Sequence, residues 1–590
     1  MDDTAMTKGL TVRNLNMETL TLALFIFCGP FFRGYIFESQ LMWATLVISL
    51  GFIVFLLRRR LPQDITLYLL LALTAMYAAS IGYGTDHREA LDSLLKVAFL
   101  IPLYIFAQSV TRQWMNRIWM VWVWLTAMSV PLGVATDQFV DGRLAGFIDY
   151  ANGYAILLLV GIIMTFALSV RGFSSSKWMQ IPIFLCAVGI CLTESRTVLA
   201  LLFVAFVLLF FWSRRSFPLL WFRCSANVAL GIAAATAYAW SPLLVIPVIV
   251  VFVLGYRLSD SMISHGYVRL ILLAVVPLLV ILALWSGSSM ASRWSTLVSR
   301  TGEGFTRLVY YHDAWSMVLD SPVWGFGAGT WAYMQYHYQT AAYFTAYVHN
   351  QPLQVMIEIG IVGFLIFAAV CVSLVVRGFS AAKQKDEIEA KFDHFRMLAC
   401  CILMMHSLVD FSLSFPYLLG LLFILGAPSD ESASAANKVG RSVTVKTTAG
   451  IVTAGALIIA TLLLVSDQLQ QSATRAIGEK RKADAVLLLD RSASVAIFAD
   501  RIHDRKARLY MREYESNQDP RYLDVARDEN EKSLSGHSEQ IWYRKLNSDI
   551  LWMQGDRQKA VAVLSELVQQ NRFMARWREE LGQKEAQMKN

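Results

Sequence analysis

Long apolar runs recur along this chain from Met17 to about Ser466, and they constrain its fold more than any other feature. The chain is 56% apolar and its mean hydropathy is +0.48, which is too high for an ordinary soluble globular protein. Because a helix of about 20 apolar residues crosses the hydrocarbon core of a bilayer, the runs indicate membrane spans. The sequence therefore predicts an all-α, polytopic membrane helical bundle with about 14–15 spans.

The predicted spans follow one another closely, with one long interruption after residue 286. They are residues 17–37, 41–57, 64–83, 92–110, 117–136, 151–170, 178–194, 197–213, 217–240, 242–256, 268–286, 351–376, 395–412, 416–428 and 447–466. The flank of the first run contains only two basic residues, Lys8 and Arg13, and no small-residue cleavage site precedes the next span. We therefore expect the first run to be a span rather than a cleavable signal peptide.

The loops between the predicted spans differ in their content of Lys and Arg. One set of alternate loops carries twenty basic residues, and the opposite set carries seven up to residue 350. Because basic loops of membrane proteins face the cytoplasm, we expect the N-terminus inside and residues 286–350 and 467–590 outside. The net charge of +8 largely reflects this bias and gives no reason to expect a nucleic acid partner.

The runs and loops divide the chain into five regions. They are an N-terminal transmembrane bundle (1–285), a large external loop with the candidate catalytic residues (286–350), a C-terminal transmembrane bundle (351–446), a final transmembrane anchor (447–466) and an extracytoplasmic helical domain (467–590). All seven cysteines lie in or beside apolar runs without metal-ligand spacing. We therefore predict neither a disulfide framework nor a metal site.

The tail, residues 467–590, is rich in charged residues with apolar residues at helical spacing. The segment LNSDILWMQGDRQKAVAVLSELVQQ predicts two helices joined at Gly555, and Ala526 and Ala560 lie 34 residues apart in similar contexts. This period resembles tetratricopeptide repeats, with a plain helical bundle as the alternative. Both interpretations favour a module that binds a partner protein or supports assembly.

Three of the outward arginines lie beside predicted spans or at the start of a helical segment. Arg143 is in DGRLAGFIDYANGYA, Arg196 in LTESRTVLA, and Arg307 begins RLVYYHDAWSMVLDSP. A guanidinium pairs bidentately with phosphate oxygens, so these residues fit a dianionic ligand at the level of the lipid headgroups. Interfacial snorkelling or contact with lipid headgroups is the alternative for each of them.

His349 and Asn350 lie at the mouth of the predicted span 351–376. Histidine titrates near neutral pH, with an ordinary pKa of about 6.5, so His349 is a candidate general base. An ordinary polar role in the loop is the alternative, and His312 and His337 share this loop.

Glu358 follows His349 by nine residues and is predicted to lie inside the membrane. Ionisable groups at that depth are costly, so they indicate function. We expect Glu358 to orient or pair with Arg196 or Arg307, with a bundle-stabilising ion pair as the alternative.

Aromatic residues are abundant in the 286–350 loop. Arg307, Tyr311 and Trp315 recur at every fourth position and share one helix face, where the aromatic rings could stack on sugars or anchor the loop at the membrane interface. The segment SPVWGFGAGTW carries three alternating glycines. No strand precedes it, so we expect a tight turn rather than a dinucleotide-binding loop.

Taken together, these segments resemble the O-antigen ligase and polymerase-like family of membrane glycosyltransferases. The resemblance spans roughly residues 140–425 and comprises RLAGFIDYANGYA, LTESRTVLA, RLVYYHDAW with SPVWGFGAGTW, HNQPLQVMIEIGIVG and HSLVDFSLSFPYLLGLLFILG, in that order. The most specific match is His349 followed by Gly360 and Gly363.

The resemblance implies an inverting transfer of a glycan from an undecaprenyl-pyrophosphate-linked donor to an acceptor hydroxyl, without metal or cofactor, on the outer face of the bacterial cytoplasmic membrane. It makes His349 the base and places the pyrophosphate on Arg196 and Arg307. The remaining candidate site residues are Glu358, grouped with His349 as catalytic, and Arg143, Tyr311, Trp315, Asn350 and Asp410, grouped as substrate-binding; His406 also matches a position of the family.

Several alternatives stay open at this stage. The first external stretch has one carboxylate, Glu38, which favours arginine over a divalent ion as the group that neutralises the leaving phosphate. The acceptor is a glycan, a lipid or a protein, because the many spans and the tail depart from relatives that glycosylate lipid A core. A flippase of lipid-linked sugars and a non-catalytic scaffold for envelope glycan assembly are the competing functions.

Overall fold

The computed structural model describes residues 16–59, 61, 64–172, 177–253, 293–383, 385–428 and 443–589. Most of these residues are helical, and the described part contains two short strands, Phe139–Val140 and Arg143–Leu144, which pair antiparallel. The predicted all-α, polytopic class is confirmed. The predicted span 268–286 lies outside the described residues.

The first half of the chain forms eleven described helices. They are α1 (Met17–Cys28), α2 (Glu38–Arg58), α3 (Ile65–Tyr83), α4 (His87–Ala98), α5 (Leu100–Ser109), α6 (Arg112–Ala135), α7 (Ala151–Val170), α8 (Gln180–Leu192), α9 (Arg196–Ser213), α10 (Pro218–Trp240) and α11 (Pro242–Val253).

The second half adds twelve described helices, of which the last six belong to the tail. They are α12 (Arg293–Asp320), α13 (Trp331–Tyr338), α14 (Gln351–Ala382), α15 (Glu387–Ser407), α16 (Pro416–Gly426), α17 (Val443–Gly478), α18 (Lys482–Val495), α19 (Asp500–Asn517), α20 (Pro520–Gly536), α21 (Ile541–Met553), α22 (Arg557–Gln570) and α23 (Ala575–Lys589).

Within the described ranges, nine helices are long and apolar enough to cross a membrane, and four further apolar helices are shorter. These thirteen coincide with thirteen of the predicted spans. The predicted span 395–412 corresponds to α15, which begins earlier and ends at Ser407. Helix α7 lies at the centre of the bundle, since every residue of its apolar window is buried inside the protein.

Helix α14 is broken inside the membrane region. Ile359 has φ −133°, and Gly360 has φ +69° with ψ −176°, so the backbone leaves the helical conformation for two residues. The segment before α13 occupies this break and satisfies the backbone groups that the break releases. The hydrogen bonds run from Phe326 N to Ile357 O (2.7 Å), Gly327 N to Glu358 O (3.0 Å) and Ile361 N to Pro322 O (2.8 Å).

The glycines of SPVWGFGAGTW make this docking possible. Gly325, Gly327 and Gly329 all have positive φ, between +71° and +94°, and a Cβ on Gly325 would overlap the backbone of α14. Only glycine adopts such a conformation without strain. The prediction of a tight turn is confirmed, and the turn serves to fill a helix break.

Replacement of Gly360 tests this packing. A Cβ there would overlap the Val323 carbonyl group, and the left-handed φ adds strain, so Gly360→Ala should lower the free energy of unfolding by at least about 1–3 kcal/mol. Gly455→Ala is the matched control, because no atom lies within 4 Å of its Cβ position, and its effect should stay within about 1 kcal/mol. Thermal unfolding in detergent measures both effects. Equal melting temperatures for the parent and both variants would contradict the packing argument.

Ion pairs separate into two groups at opposite ends of the membrane helices. At one end Glu389 pairs with Arg112 and Arg171, and Arg377 lies 3.1 Å from Asp64. These residues belong to the loops that are predicted to be cytoplasmic. The other end carries the loops between α1 and α2, α3 and α4, α8 and α9, and α15 and α16, together with the tail.

The tail continues from the end of α17 as antiparallel helix pairs. Gly555 has φ +88° at the turn between α21 and α22, as the sequence predicts. Ala526 in α20 and Ala560 in α22 are both fully buried on the second helix of a pair. Helical pairs are thus present, and their assignment as tetratricopeptide repeats stays a prediction.

The tail contacts the membrane bundle through Arg501 at the start of α19. Its guanidinium donates to Glu89 Oε1 (2.7 Å), Asp86 Oδ2 (3.1 Å), Glu38 Oε1 (3.3 Å) and the Tyr333 hydroxyl (3.3 Å). Burial works against the charge, but Asp86 and Glu89 outweigh it and raise the pKa of Arg501. One tail residue therefore joins α2, the α3–α4 loop, α4 and α13.

The carboxylates around Arg501 also have a cation from the bundle itself. Oxygens of Glu38, Glu89 and Asp92 lie within 4.8 Å of one another. Arg88 lies 2.7 Å from Glu38 and 2.5 Å from Asp92, so guanidinium groups neutralise this cluster. We read the cluster as the docking point of the tail.

The contact predicts that Arg501→Gln loosens the tail. Three carboxylates would then lose a cation and repel one another. Hydrogen exchange on the full chain in nanodiscs should show the backbone amides of α13 and α19 exchanging at least about tenfold faster. A tenfold change corresponds to about 1.4 kcal/mol in the free energy of local opening. Arg521→Gln is the control, because Arg521 is exposed and pairs with Asp519 within the tail. Equal exchange in the two variants would contradict the docking.

Candidate functional site

Asp410 lies at the centre of the residues that the sequence singled out. It follows α15 in a short loop and its side chain is 1% exposed. Its Oδ2 accepts hydrogen bonds from the Tyr150 hydroxyl (2.7 Å) and Asn152 Nδ2 (3.0 Å), and its Oδ1 accepts one from the Ser412 hydroxyl (3.1 Å). A buried carboxylate needs such partners, so the loop holds a negative charge in a defined position.

Arg307 brings a positive charge to this carboxylate from α12. Its Nη1 donates to the Val409 carbonyl (2.7 Å), and its Nη2 lies 3.6 Å from Asp410 Oδ2. The Arg307 side chain is 27% exposed, so part of the guanidinium faces solvent. The guanidinium is therefore oriented by Val409 and Asp410 on one side, and its other side is accessible to an anion.

His349 faces the same carboxylate in an unusual backbone conformation. Its φ is +59°, a left-handed value that costs a residue other than glycine about 1–2 kcal/mol. The ring lies edge-on to Phe411 with centroids 4.7 Å apart, and Tyr311 donates its hydroxyl to the His349 carbonyl (2.9 Å). The packing thus holds the imidazole in place despite the backbone strain.

One ring nitrogen of His349 takes no part in the hydrogen bonds of the site. His349 Nδ1 is buried, has no hydrogen-bond partner among the described residues, and lies 3.9 Å from Asp410 Oδ2. That distance is too long for a direct hydrogen bond, so the two groups interact electrostatically.

The surroundings of Asp410 favour its charged form. Burial alone would raise the pKa of this carboxyl, but His349, His406 and the Tyr150 hydroxyl outweigh burial and hold the pKa well below its usual value. The negative charge of Asp410 therefore lies 3.9 Å from His349 Nδ1.

Arg143 and Arg196 differ in their surroundings. Arg143 donates from Nε to the Thr193 carbonyl (2.8 Å) and from Nη2 to Asn152 Oδ1 (2.7 Å), so it supports the amide that contacts Asp410. Arg196 is the first residue of α9 and is exposed, with no ion pair to a described residue. Arg143 has a positioning role here, and the guanidinium of Arg196 remains accessible.

Asn350, Tyr311 and Trp315 also separate in the structure. Asn350 is the N-cap of α14, where its Oδ1 accepts from Leu353 N (3.0 Å) and its Nδ2 donates to the Leu408 carbonyl (2.9 Å). Asn350 and Tyr311 therefore position His349, whereas Trp315 lies 48% exposed on α12. Substrate binding by these three residues stays a prediction.

Glu358 does not join the Asp410 group. It accepts hydrogen bonds from the Tyr77 hydroxyl (2.9 Å) and Gln354 Nε2 (2.8 Å), and it lines a separate cavity. The predicted pairing of Glu358 with Arg196 or Arg307 is therefore wrong. The reason is the face of α14 on which Glu358 lies: one turn after Gln354, it faces Tyr77 of α3, and both residues bind it.

Sequence reasoning missed the residues that bind Asp410. Tyr150 and Asn152 lie within the matched segment RLAGFIDYANGYA, but their partner is 260 and 258 residues away. Phe411, which contacts His349, follows Asp410 directly. The sequence offers one signal for this site: a tyrosine and an asparagine two residues apart, just before an apolar run. This pattern is too common to identify a site by itself.

Comparison with known proteins gives one family match. Residues 181–368 match the family model of the O-antigen ligase, and a search of curated proteins found no match. The matched range contains Arg196, Arg307 and His349, whereas Arg143 and Asp410 lie outside it. The predicted resemblance to an O-antigen ligase-like family is confirmed, and the match supports a role in glycan transfer at the membrane.

The central position of Asp410 makes a stability prediction. Asp410→Ala leaves Arg307 without its carboxylate and three hydrogen-bond donors without their acceptor, and it should lower the free energy of unfolding by about 3–5 kcal/mol. Asp410→Asn keeps one acceptor oxygen and should lower the free energy of unfolding by a smaller amount. Asp320→Asn is the control, because Asp320 is exposed and accepts a single hydroxyl, from Tyr338, so its effect should stay within about 0.5 kcal/mol. Equal melting of the Asp410→Ala and Asp320→Asn variants in detergent would contradict this role.

Proposed function

We propose that this O-antigen ligase-like membrane protein transfers a glycan from an undecaprenyl-pyrophosphate donor to an acceptor hydroxyl. The single observation that carries the proposal is the convergence of His349 and Arg307 on the buried carboxylate of Asp410. A base and an anion-binding guanidinium are the two groups that such a displacement needs beside a bound acceptor. The glycan is the substrate class, and the family match supports it.

The reaction is a single displacement at the anomeric carbon. The imidazole of His349 takes the proton of the acceptor hydroxyl while that oxygen forms the new bond to the anomeric carbon. The bond from this carbon to the phosphate oxygen breaks, and its electron pair leaves with undecaprenyl pyrophosphate. Attack from the side opposite to the leaving group inverts the anomeric configuration.

Asp410 acts through its neighbours. Its negative charge stabilises the imidazolium that forms when His349 accepts the proton, as the aspartate of a catalytic triad does. It also orients Arg307, whose free side faces the departing pyrophosphate together with Arg196. The arginines neutralise the leaving group in this proposal, so the transfer proceeds without a divalent ion.

The location of the site follows from the charge asymmetry of the loops. The site and the tail share one end of the helices, and the basic loops lie at the other end. We place the protein in the bacterial cytoplasmic membrane with its N-terminus inside and both the site and the tail outside. An undecaprenyl tail then reaches the site from the lipid, and the acceptor, a glycan, a lipid or a protein, reaches it from the aqueous side.

Purified protein with undecaprenyl-pyrophosphate glycan, a panel of acceptors and a chelator tests the proposal. The parent should release undecaprenyl pyrophosphate and glycosylate an acceptor. His349→Ala should slow the release by about 10²–10⁴-fold. Arg307→Lys and Arg196→Ala should slow it by about 10²–10³-fold, because they weaken the stabilisation of the leaving group.

Matched controls separate the site from general damage. His312→Ala removes an exposed histidine of the same α12 region, and Arg33→Ala removes an exposed arginine at the same end of the helices. Both should transfer at the parent's rate. Parental rates in His349→Ala and Arg196→Ala would disprove the site, and loss of the parent's activity with chelator would disprove metal independence. Movement of donor between leaflets without pyrophosphate release would instead favour a flippase.

A further inference from the structure

The cavity that Glu358 lines lies beside the Asp410 group and has no part in the proposed glycan transfer. Its volume is about 200 Å³, compared with roughly 30 Å³ for one water in the liquid. Tyr347 lines the cavity and stacks on Phe411 with ring centroids 4.9 Å apart, and Phe411 in turn contacts His349. The cavity and the candidate base therefore share one aromatic wall.

Two polar groups that line the cavity make no hydrogen bond to the residues that the structure describes. Gln351 as a whole is 9% exposed, and its Oε1 is fully buried and accepts no hydrogen bond from a described residue. Lys96 of α4 lines the same space, where its ammonium is attracted to the carboxylates of Glu89, Asp92 and Glu358 without a hydrogen bond to any of them. A buried acceptor without a hydrogen bond is costly, and a polar ligand that donates to Gln351 and accepts from Lys96 would offset this cost.

The remaining lining favours a carbohydrate. Tyr77, Tyr333 and Tyr347 contribute aromatic rings and hydroxyl groups, and Glu358 contributes a carboxylate. A sugar ring presents hydroxyl groups at its edge and apolar C–H groups on its faces, which is the pattern that such a lining complements. We propose that this cavity is the subsite for one sugar ring of the acceptor glycan, and this inference rests on the proposed function.

The assignment to the acceptor follows from the positions of the charged groups. Arg307 contacts Asp410 and does not line the cavity, so the pyrophosphate of the donor lies elsewhere. The shared wall of Tyr347 and Phe411 places a sugar in the cavity next to His349. A hydroxyl on that sugar, or on the ring that follows it, is the group from which the base takes a proton.

The tail lies at the edge of this subsite. Arg501 binds Glu89 and the Tyr333 hydroxyl, and both residues line the cavity. The module that follows the last span therefore contributes to the shape of the acceptor subsite.

Saturation-transfer NMR on the full chain in lipid nanodiscs, without glycoside detergent, tests the subsite. The probes are free galactose, N-acetylglucosamine and glucuronate. At least one should receive saturation from the parent. Ala346→Trp, which places a bulky ring at the exposed edge of the cavity, should abolish the transfer, and Gln351→Leu should reduce it at least threefold. Ala341→Trp, on an exposed alanine of the same loop outside the lining, is the matched control and should bind like the parent.

The outcomes separate this inference from the proposed function. Absence of binding by all three sugars, or unchanged binding by Ala346→Trp, would overturn the subsite even if His349→Ala abolishes transfer. Sugar binding by a parent that releases no undecaprenyl pyrophosphate would disprove the transfer and leave the sugar site in place. In an active parent, Ala346→Trp should raise the half-saturating acceptor concentration at least tenfold and leave that of the donor unchanged. A rise for the donor instead would overturn the acceptor assignment.

Discussion

The burial of one carboxylate is the constraint on which the candidate site depends. Asp410 is stable in its loop because Tyr150 and Asn152 donate to it and Arg307 lies beside it. These partners come from the start of α7 and from α12, so the buried charge brings distant segments of the chain together. His349 reaches this charge only because its backbone adopts a left-handed conformation.

The break in α14 is the second device that shapes the active end of the bundle. A helix interrupted at membrane depth exposes backbone groups that lipid cannot satisfy, so another segment must supply hydrogen bonds. The turn around Gly325 and Gly327 does so. The first part of α14, which begins beside His349, is thereby set against α12 and α13 rather than extended straight across the bilayer.

The sequence predicts the parts of this structure that depend on local pattern. Apolar run length identifies the spans, and alternating glycines identify the turn before α13. It also predicts that His349, Arg307 and Asp410 matter, through the resemblance to the family. It does not predict the pairing of Asp410 with Tyr150, because that contact joins residues far apart in the chain. The partner of Glu358 is likewise not predicted, because its hydrogen bond with Tyr77 joins residues 281 positions apart.

The contact between Arg501 and Glu89 has a consequence for the biogenesis of the protein. The two residues are 412 positions apart, and the helices that contain Glu89 are synthesised long before α19. During synthesis Glu89 therefore precedes its partner Arg501, whereas Glu38 and Asp92 already have Arg88 as a counterion. This region therefore reaches its final arrangement of charges only after α19 has been synthesised, and a product terminated before Arg501 would lack the contact that joins the tail to α4.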